Sequence, residues 1–251
     1  MTSTRGYIDF AAGNKAQYDQ ELSQYHDLVK WLAQNGGKYG LATDLSELDT
    51  TERETLTAMY EAETKISLTD KSFVPPPSLL LPRLYFNVSS SAGLKKTSAN
   101  FLDLLSDSKK LKSKRSPNPP LKYQSCKVFR IDEGFVAQTG DVTRQDGSGG
   151  ESIYGGTFND EKEGLKTTFQ LGTIAMANSG KNSNTSQFFV TLTSDPAKLK
   201  KLKGNYVAFA ETDFSVESSR LCLDRLNDLG DGKGGTKEPV WIEECNACEC
   251  M

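Results

Sequence analysis

Histidine is nearly missing from this chain: His26 is its single copy in 251 residues. It lies between Tyr25 and Asp27 in a helix-like pattern with no catalytic partner in view, so it reads as a surface residue. No apolar run comes near the roughly 20 residues that span a bilayer. The opening MTSTRGYIDFAAGNK has no apolar signal core, and an intracellular location is expected. Charge of one sign is not in excess either. A net charge of −3 gives no global attraction to nucleic acid or acidic lipid. Five cysteines are an odd number, and three crowd the end as CNACEC, unlike a secreted disulfide framework. Zinc wants four ligands, and neither a second cysteine pair nor a nearby histidine is evident. Cys248 and Cys250 read as an exposed tail open to oxidation, and Cys126 as a small core residue. GGESIYGG fails the spacing of a nucleophile elbow, and GDGKGGTK that of a phosphate loop. What is present suits a soluble globular protein with a polar extension: 36% hydrophobic residues and a mean hydropathy of −0.52.

The chain divides near SFVPPPSLLLP. Before it, Tyr18, Leu22, Tyr25, Val29 and Leu32 recur in steps of four and three, one apolar stripe on a helix. Asn14 is the expected N-cap, and NGG (Asn35 to Gly37) the stop. DTTE predicts a second helix, with Asp49 capping, Glu52 reaching back, and Leu56 and Met59 on one face. An isolated helix of this length is marginal in water. The stripe is therefore expected to pack on the following domain or on a partner chain. From about Lys65 the pattern becomes strand-like in TKISLT and RLYFNVS. KKTSANFLDLLSD predicts a helix capped by Thr97 or Ser98, with Phe101, Leu102 and Leu105 inward. Then come CKVFRI, GFVAQTG, GTIAMANS, SQFFVTLT and YVAFAET, a helix over SSRLCLDRLNDLG, and a last strand in EPVWIEEC. Many short strands with two isolated helices predict a closed antiparallel barrel whose ends the helices cover. The expected domains are a helical extension over 1–64 and a barrel over 65–251.

FRIDEGFVAQTGD, Phe129 to Asp141, gathers one arginine, large apolar residues and one glutamine, with no histidine, cysteine, serine or lysine. Such a set suits a reaction that makes and breaks no bond. Together with TRQDGSGGESIYGGTFNDE and GTIAMANSGKNSNTSQFFVT, in that order, it resembles the cyclophilins, peptidyl-prolyl cis-trans isomerases built on an eight-stranded barrel. The resemblance runs from about Ile66 to Cys245, and includes TSANFLDLL and VWIEEC.

Rotation about an Xaa–Pro bond faces a barrier of about 20 kcal/mol, because the C–N bond is partly double. Unaided, it takes on the order of 10–100 s. As resonance is lost the imide nitrogen pyramidalises and becomes a better acceptor. A guanidinium aimed at it then binds the twisted state more strongly than the planar one. Arg130 is the catalytic candidate. The resemblance implies a prolyl-ring pocket from Phe135, Val136, Phe189, Leu202 and Tyr206, and substrate-backbone contacts from Gln138, Asn178 and Gln187. Ala177 is small where a peptide must lie close. If Phe135 and Val136 both touch the ring, the strand must bend at Gly134. No cofactor or metal is implied.

The chain also departs from the family pattern. Lys201, in KLKGN, stands where relatives often carry a rim tryptophan, although four extra residues in TLTSDPAKLKKLKGN blur the match. Tyr206 replaces a histidine and Val136 a methionine. Tyrosine still stacks on a proline ring, so activity is expected to survive while binding of cyclosporin weakens. The basic run Ser108 to Pro120, with Lys109, Lys110, Lys112, Lys114 and Arg115, reads as a solvated loop ahead of a nuclear-import or nucleic-acid patch. AKLKKLK (Ala197 to Lys203) reads as a solvated rim ahead of an attractor of acidic substrates. A cytoplasmic location follows, with the nucleus as alternative. The expected function is isomerisation of Xaa–Pro bonds in peptides and proteins, assisting folding. Its rivals are a proline-peptide scaffold whose extension chooses the partner, and a self-associating chaperone.

Overall fold

The computed structural model describes residues 3–114 and 118–247. Arg115 of the basic run and Cys248 and Cys250 of the tail lie outside the described residues. Two compact units separate by their internal contacts, residues 1–13 with 80–251, and residues 14–79.

The larger unit is mainly β. Its strands are β1 (Ser3–Ala12), β2 (Leu84–Ser89), β3 (Arg130–Asp132), β4 (Val136–Thr139), β5 (Thr173–Met176), β6 (Phe188–Thr191), β7 (Ala208–Thr212) and β8 (Val240–Ala247). All pair antiparallel in one sheet of order β3-β4-β6-β5-β7-β2-β1-β8. The ladder therefore has two ends, and the expected closed barrel is corrected to an open eight-stranded sheet. At the seam, Val128 N donates to Val240 O at 2.9 Å and Ile242 N to Cys126 O at 2.9 Å, around an isolated Lys127–Trp241 bridge. CKVFRI bridges β8 at Lys127, and its last two residues, Arg130 and Ile131, open the short strand β3 that pairs with β4.

Apolar residues on one face of the sheet (Ile8, Phe86, Val88, Ile131, Ala137, Ile174, Phe188, Val190) form the main core with two helices. The first helix, α3 (Lys95–Ser106), supplies Phe101, Leu104 and Leu105, and α6 (Glu217–Asp228) supplies Cys222, Leu223 and Leu226. Leu102 packs only partly buried against this core. Thr97 and Ser98 do not cap α3. Its first free amides, Lys96 N and Thr97 N, donate instead to the Glu161 carboxylate at 3.0 and 2.8 Å. A carboxylate satisfies a helix N-terminus from any distance along the chain. Cys126 and Cys245 are buried free thiols, each pushed up to about 12 by burial.

The expected helical extension over 1–64 is corrected as well. Residues 3–12 are β1, between β2 and β8, with Ile8 and Phe10 in the core. GYIDF alternates as a strand must, but its partners lie far along the chain. The smaller unit is thus an insertion between two adjacent strands. The Ala11–Leu80 bridge and the Leu81 N to Phe10 O bond (2.8 Å) hold the strand ends together where the chain leaves and returns.

Within that smaller unit, α1 (Lys15–Asn35) is capped by Asn14, whose side chain accepts from Gln17 N at 3.1 Å. Helix α2 (Thr50–Thr64) carries the capping box of Asp49 and Glu52. The core is Leu28, Trp31, Leu32, Leu41, Leu45, Leu48, Leu56, Tyr60 and Phe73. The stripe shifts from the expected one. Tyr25, Leu28, Trp31 and Leu32 face inward, while Val29 is 37% exposed. Trp31 sets this rotation, since its indole Nε1 donates to Glu63 Oε2 at 2.7 Å and its ring meets Tyr60 edge-on. TKISLT is not a strand: Lys65 takes φ +63° as the α2 C-cap, and Leu68 folds back to donate its N–H to Glu61 Oε1 at 2.8 Å. The larger unit also carries, among the described residues, the short α-helices α4 (Lys162–Lys166) and α5 (Pro196–Lys200). Among the described residues, no helix is long and apolar enough to cross a membrane.

Candidate active site

Cross-strand register places the candidate residues. Arg130 pairs with Gln138, Gln138 with Phe189, Phe189 with Ala175, and Ala175 with Ala208. Residues directly opposite in a sheet share a face. These five therefore form one row, on the side away from the main core. The adjacent row, Ile131, Ala137, Val190 and Ile174, faces that core.

The outer row carries a second apolar cluster: Val136, Phe169, Ala175, Ala177, Phe189, Leu199, Leu202 and Ala208, with Phe135 and Tyr206 packed against it. Tyr206 meets Phe189 edge-on at 5.2 Å and 87°, and Phe169 stacks on Phe189 at 6.3 Å and 12°. All five expected ring-pocket residues meet in this cluster. Phe169, in the polar stretch LKTTFQLG, was missed by the sequence reading. Its only signal there was a lone aromatic among threonines.

Phe135 and Val136 are consecutive yet join the same cluster. The turn Asp132–Phe135 is closed by Phe135 N donating to Asp132 O at 2.9 Å, with Gly134 at φ +63°. That φ favours glycine at the third turn position. Pairing resumes at Asp132–Val136, so Phe135 is the extra residue that the bend turns toward the cluster. Lys198 Nζ donates to Gly134 O at 2.8 Å, which ties α5 to this turn. Leu199, in α5, and Leu202, just after its C-cap, join the cluster.

The polar residues differ in how far they are engaged. Gln187 is 7% exposed, and its Nε2 donates to Gly147 O (2.9 Å) and Gly149 O (2.8 Å). Its Oε1 accepts from Gln138 Nε2 at 2.9 Å. The Gln187 amide thus holds Gln138 and the 147–149 loop together. Asn178 Nδ2 donates to Asn205 O at 2.8 Å, and its Oδ1 accepts from Gly180 N at 3.2 Å. Gln138, Gly149, Ala177, Asn178 and Gln187 border a polar cleft of about 190 Å³ beside the apolar cluster.

Asp141 organises that cleft, although no motif spacing in the sequence marks it for that role. Its Oδ1 accepts from Thr143 N, Thr143 Oγ1 and Arg144 N, and its Oδ2 from Gly147 N and Gly149 N, all between 2.9 and 3.1 Å. Burial pushes this carboxyl up, but the backbone bonds from Arg144, Gly149 and Thr143 and the Thr143 hydroxyl hold it below its ordinary value. Gly147 takes φ +87°, where a Cβ would meet the Phe129 ring at 2.5 Å. Two carboxylate oxygens at the end of one motif thus shape the loop that receives Gln187.

Arg130 is exposed on the same face, with Nη2 at 3.3 Å from Asp132 Oδ2. A fixed cation, an amide and an aromatic basin in one row can grip an apolar ring and donate a hydrogen bond beside it. No group in that row is a nucleophile.

A model of the family described as cyclophilin type peptidyl-prolyl cis-trans isomerase/CLD matches residues 93–247. The chain is similar to "Peptidyl-prolyl cis-trans isomerase D" of Kluyveromyces lactis, 35% identical over 163 residues. That alignment covers 65% of this chain and 41% of the relative, so the chain spans well under half of that protein's length.

Proposed function

The chain belongs to the cyclophilin-type peptidyl-prolyl cis-trans isomerase family, and on that premise we propose that it catalyses rotation about Xaa–Pro bonds in peptides and proteins, so assisting their folding. One observation carries the reading: Arg130, Gln138 and Phe189 stand in a single cross-strand row beside an apolar basin. The prolyl ring packs among Phe135, Val136, Phe189, Leu202 and Tyr206, and the preceding carbonyl swings. Arg130 donates to the imide nitrogen as it pyramidalises. A charged hydrogen bond of this kind contributes about 1.5–3 kcal/mol, more where water is excluded. Gln138 contacts the substrate backbone, and Gln187 positions Gln138. Ala177 leaves room for the peptide, and Asn178 borders it. Exchange NMR on an Ala–Pro peptide, wild type against Arg130→Ala, tests the assignment. A fall of about tenfold or more in exchange rate is expected, and equal rates would remove Arg130 from catalysis.

The unit of residues 14–79 has its own core and lies outside the family match. It favours a second reading, in which the sheet domain holds a proline-containing partner that the inserted unit helps to choose. Peptide binding without any accelerated exchange would favour it over the enzyme.

A further inference from the structure

The chain is net negative at −3, yet the loop beside the ring basin is positive. From Asp195 to Lys203 it carries Lys198, Lys200, Lys201 and Lys203 against one carboxylate. That carboxylate, Asp195, caps α5 by accepting from Ala197 N at 2.8 Å. Lys198 is bound to Gly134 O. Lys200 and Lys203 are exposed, and among the described residues neither makes an ion pair.

These two lysines edge a cleft of about 420 Å³ whose walls include Phe169, Leu171, Pro196 and Leu199. Phe169 stacks on Phe189 at 6.3 Å. Phe169 and Leu199 therefore serve both the ring basin and this neighbouring cleft. No carboxylate is among the described side chains that line the cleft. Lys203 Nζ donates to Thr168 Oγ1, a neutral partner, at 3.1 Å. Gln170 donates to Glu211, whose carboxylate also accepts from Thr173 Oγ1. An apolar wall beneath two unpaired ammonium groups is the complement of an apolar side chain next to an anionic one.

Resting on the isomerase reading above, we propose that this cleft is a specificity site. It receives residues flanking the substrate proline, and it selects an apolar side chain adjoined by a carboxylate or a phosphate. Exposed cations steer acidic ligands and lose that effect when salt screens them. The lysine stems add apolar contact to the wall.

The test uses the full chain and peptides sharing one Ala–Pro centre. Their flanking pair is Leu-Glu, Leu-phosphoserine, Leu-Gln, Leu-Lys or Gln-Glu. Both kcat/KM, by exchange NMR, and Kd, by calorimetry, are measured at about 20 mM and about 300 mM salt, where the screening length falls from over 20 Å to under 10 Å. Leu-Glu should exceed Leu-Gln by about 3–10-fold at low salt and lose that lead at high salt. Leu-phosphoserine should likewise exceed Leu-Gln at low salt, and Gln-Glu should fall below Leu-Glu. Lys200→Gln/Lys203→Gln should abolish the lead and Lys200→Glu/Lys203→Glu should reverse it, with circular dichroism confirming that both variants fold. Equal Kd and kcat/KM for Leu-Glu and Leu-Gln at low salt would overturn the proposal while leaving Arg130-dependent turnover intact. Selective binding without turnover of any peptide would instead uphold this site and overturn the isomerase reading.

Discussion

Arg130 Nη2 lies 3.3 Å from Asp132 Oδ2, two residues apart on β3, with the side chains 46% and 45% exposed. An exposed pair of this kind contributes about 0–1 kcal/mol. Water competes with it on equal terms, so the guanidinium is free to turn toward a bound imide. Asp132→Asn should therefore change stability by less than about 0.5 kcal/mol in urea denaturation. Exchange rates should match the wild type or rise. A tenfold loss would mean instead that Asp132 aims the guanidinium.

Asp141 makes a pH prediction. Its carboxyl sits below the ordinary value of 3.8 because the hydrogen bonds outweigh burial. The native state therefore holds the charged form more firmly than the unfolded state does. That stabilisation is complete above 3.8 and disappears as pH falls through the lower native value. Asp141→Asn should cost about 2–3 kcal/mol at neutral pH, and the gap from wild type should close in acid. Denaturant titrations across that range check it, and a gap of constant size would show that the carboxylate charge is not its source.

The insertion predicts an asymmetry between two deletions. Replacing residues 14–79 by a short Gly/Ser turn leaves β1 paired with β2 and β8, because the strand ends already meet at Ala11 and Leu80. Folded protein with Ala–Pro exchange near the wild-type rate is expected. Deleting residues 1–64 removes an interior strand together with Ile8 and Phe10. Each such buried side chain contributes about 1.5–3 kcal/mol, and insoluble or unfolded protein should result. Equal thermal melting of the two deletion variants would contradict the register of β1.

Cyclosporin should inhibit poorly. Lys201, at the C-cap of α5, is exposed where the family resemblance sets an indole, so the drug loses one aromatic wall. Restoring it with Lys201→Trp should tighten inhibition by about tenfold or more, as buried aromatic anchors do. Nanomolar inhibition of the wild type in a titration would refute this.

The local readings came through where the physics is local. Asn14 caps α1 and Asp49 with Glu52 caps α2, because these bonds span three residues and need nothing else. Gly134 was legible for the same reason: only its own φ and one turn bond are involved. Motif resemblance names Phe135, Val136, Phe189, Leu202 and Tyr206, which meet in one apolar cluster, and Phe135 with Val136 on that cluster requires the bend that Gly134 allows. Local capping predicts Thr97 or Ser98 at the start of α3, yet Glu161 supplies the carboxylate from another part of the chain.

By itself, then, the sequence determined the caps of α1 and α2, the turn chemistry at Gly134 and the residue types that could serve an imide rotation. Tertiary structure alone decided that β1 is an interior strand, that Asp141 shapes the loop gripped by Gln187, and that Phe169 backs Phe189. The reason is reach. Dihedral preference and side-chain alternation are properties of neighbours along the chain, whereas register, distant caps and stacked rings depend on which segments meet once the core has formed.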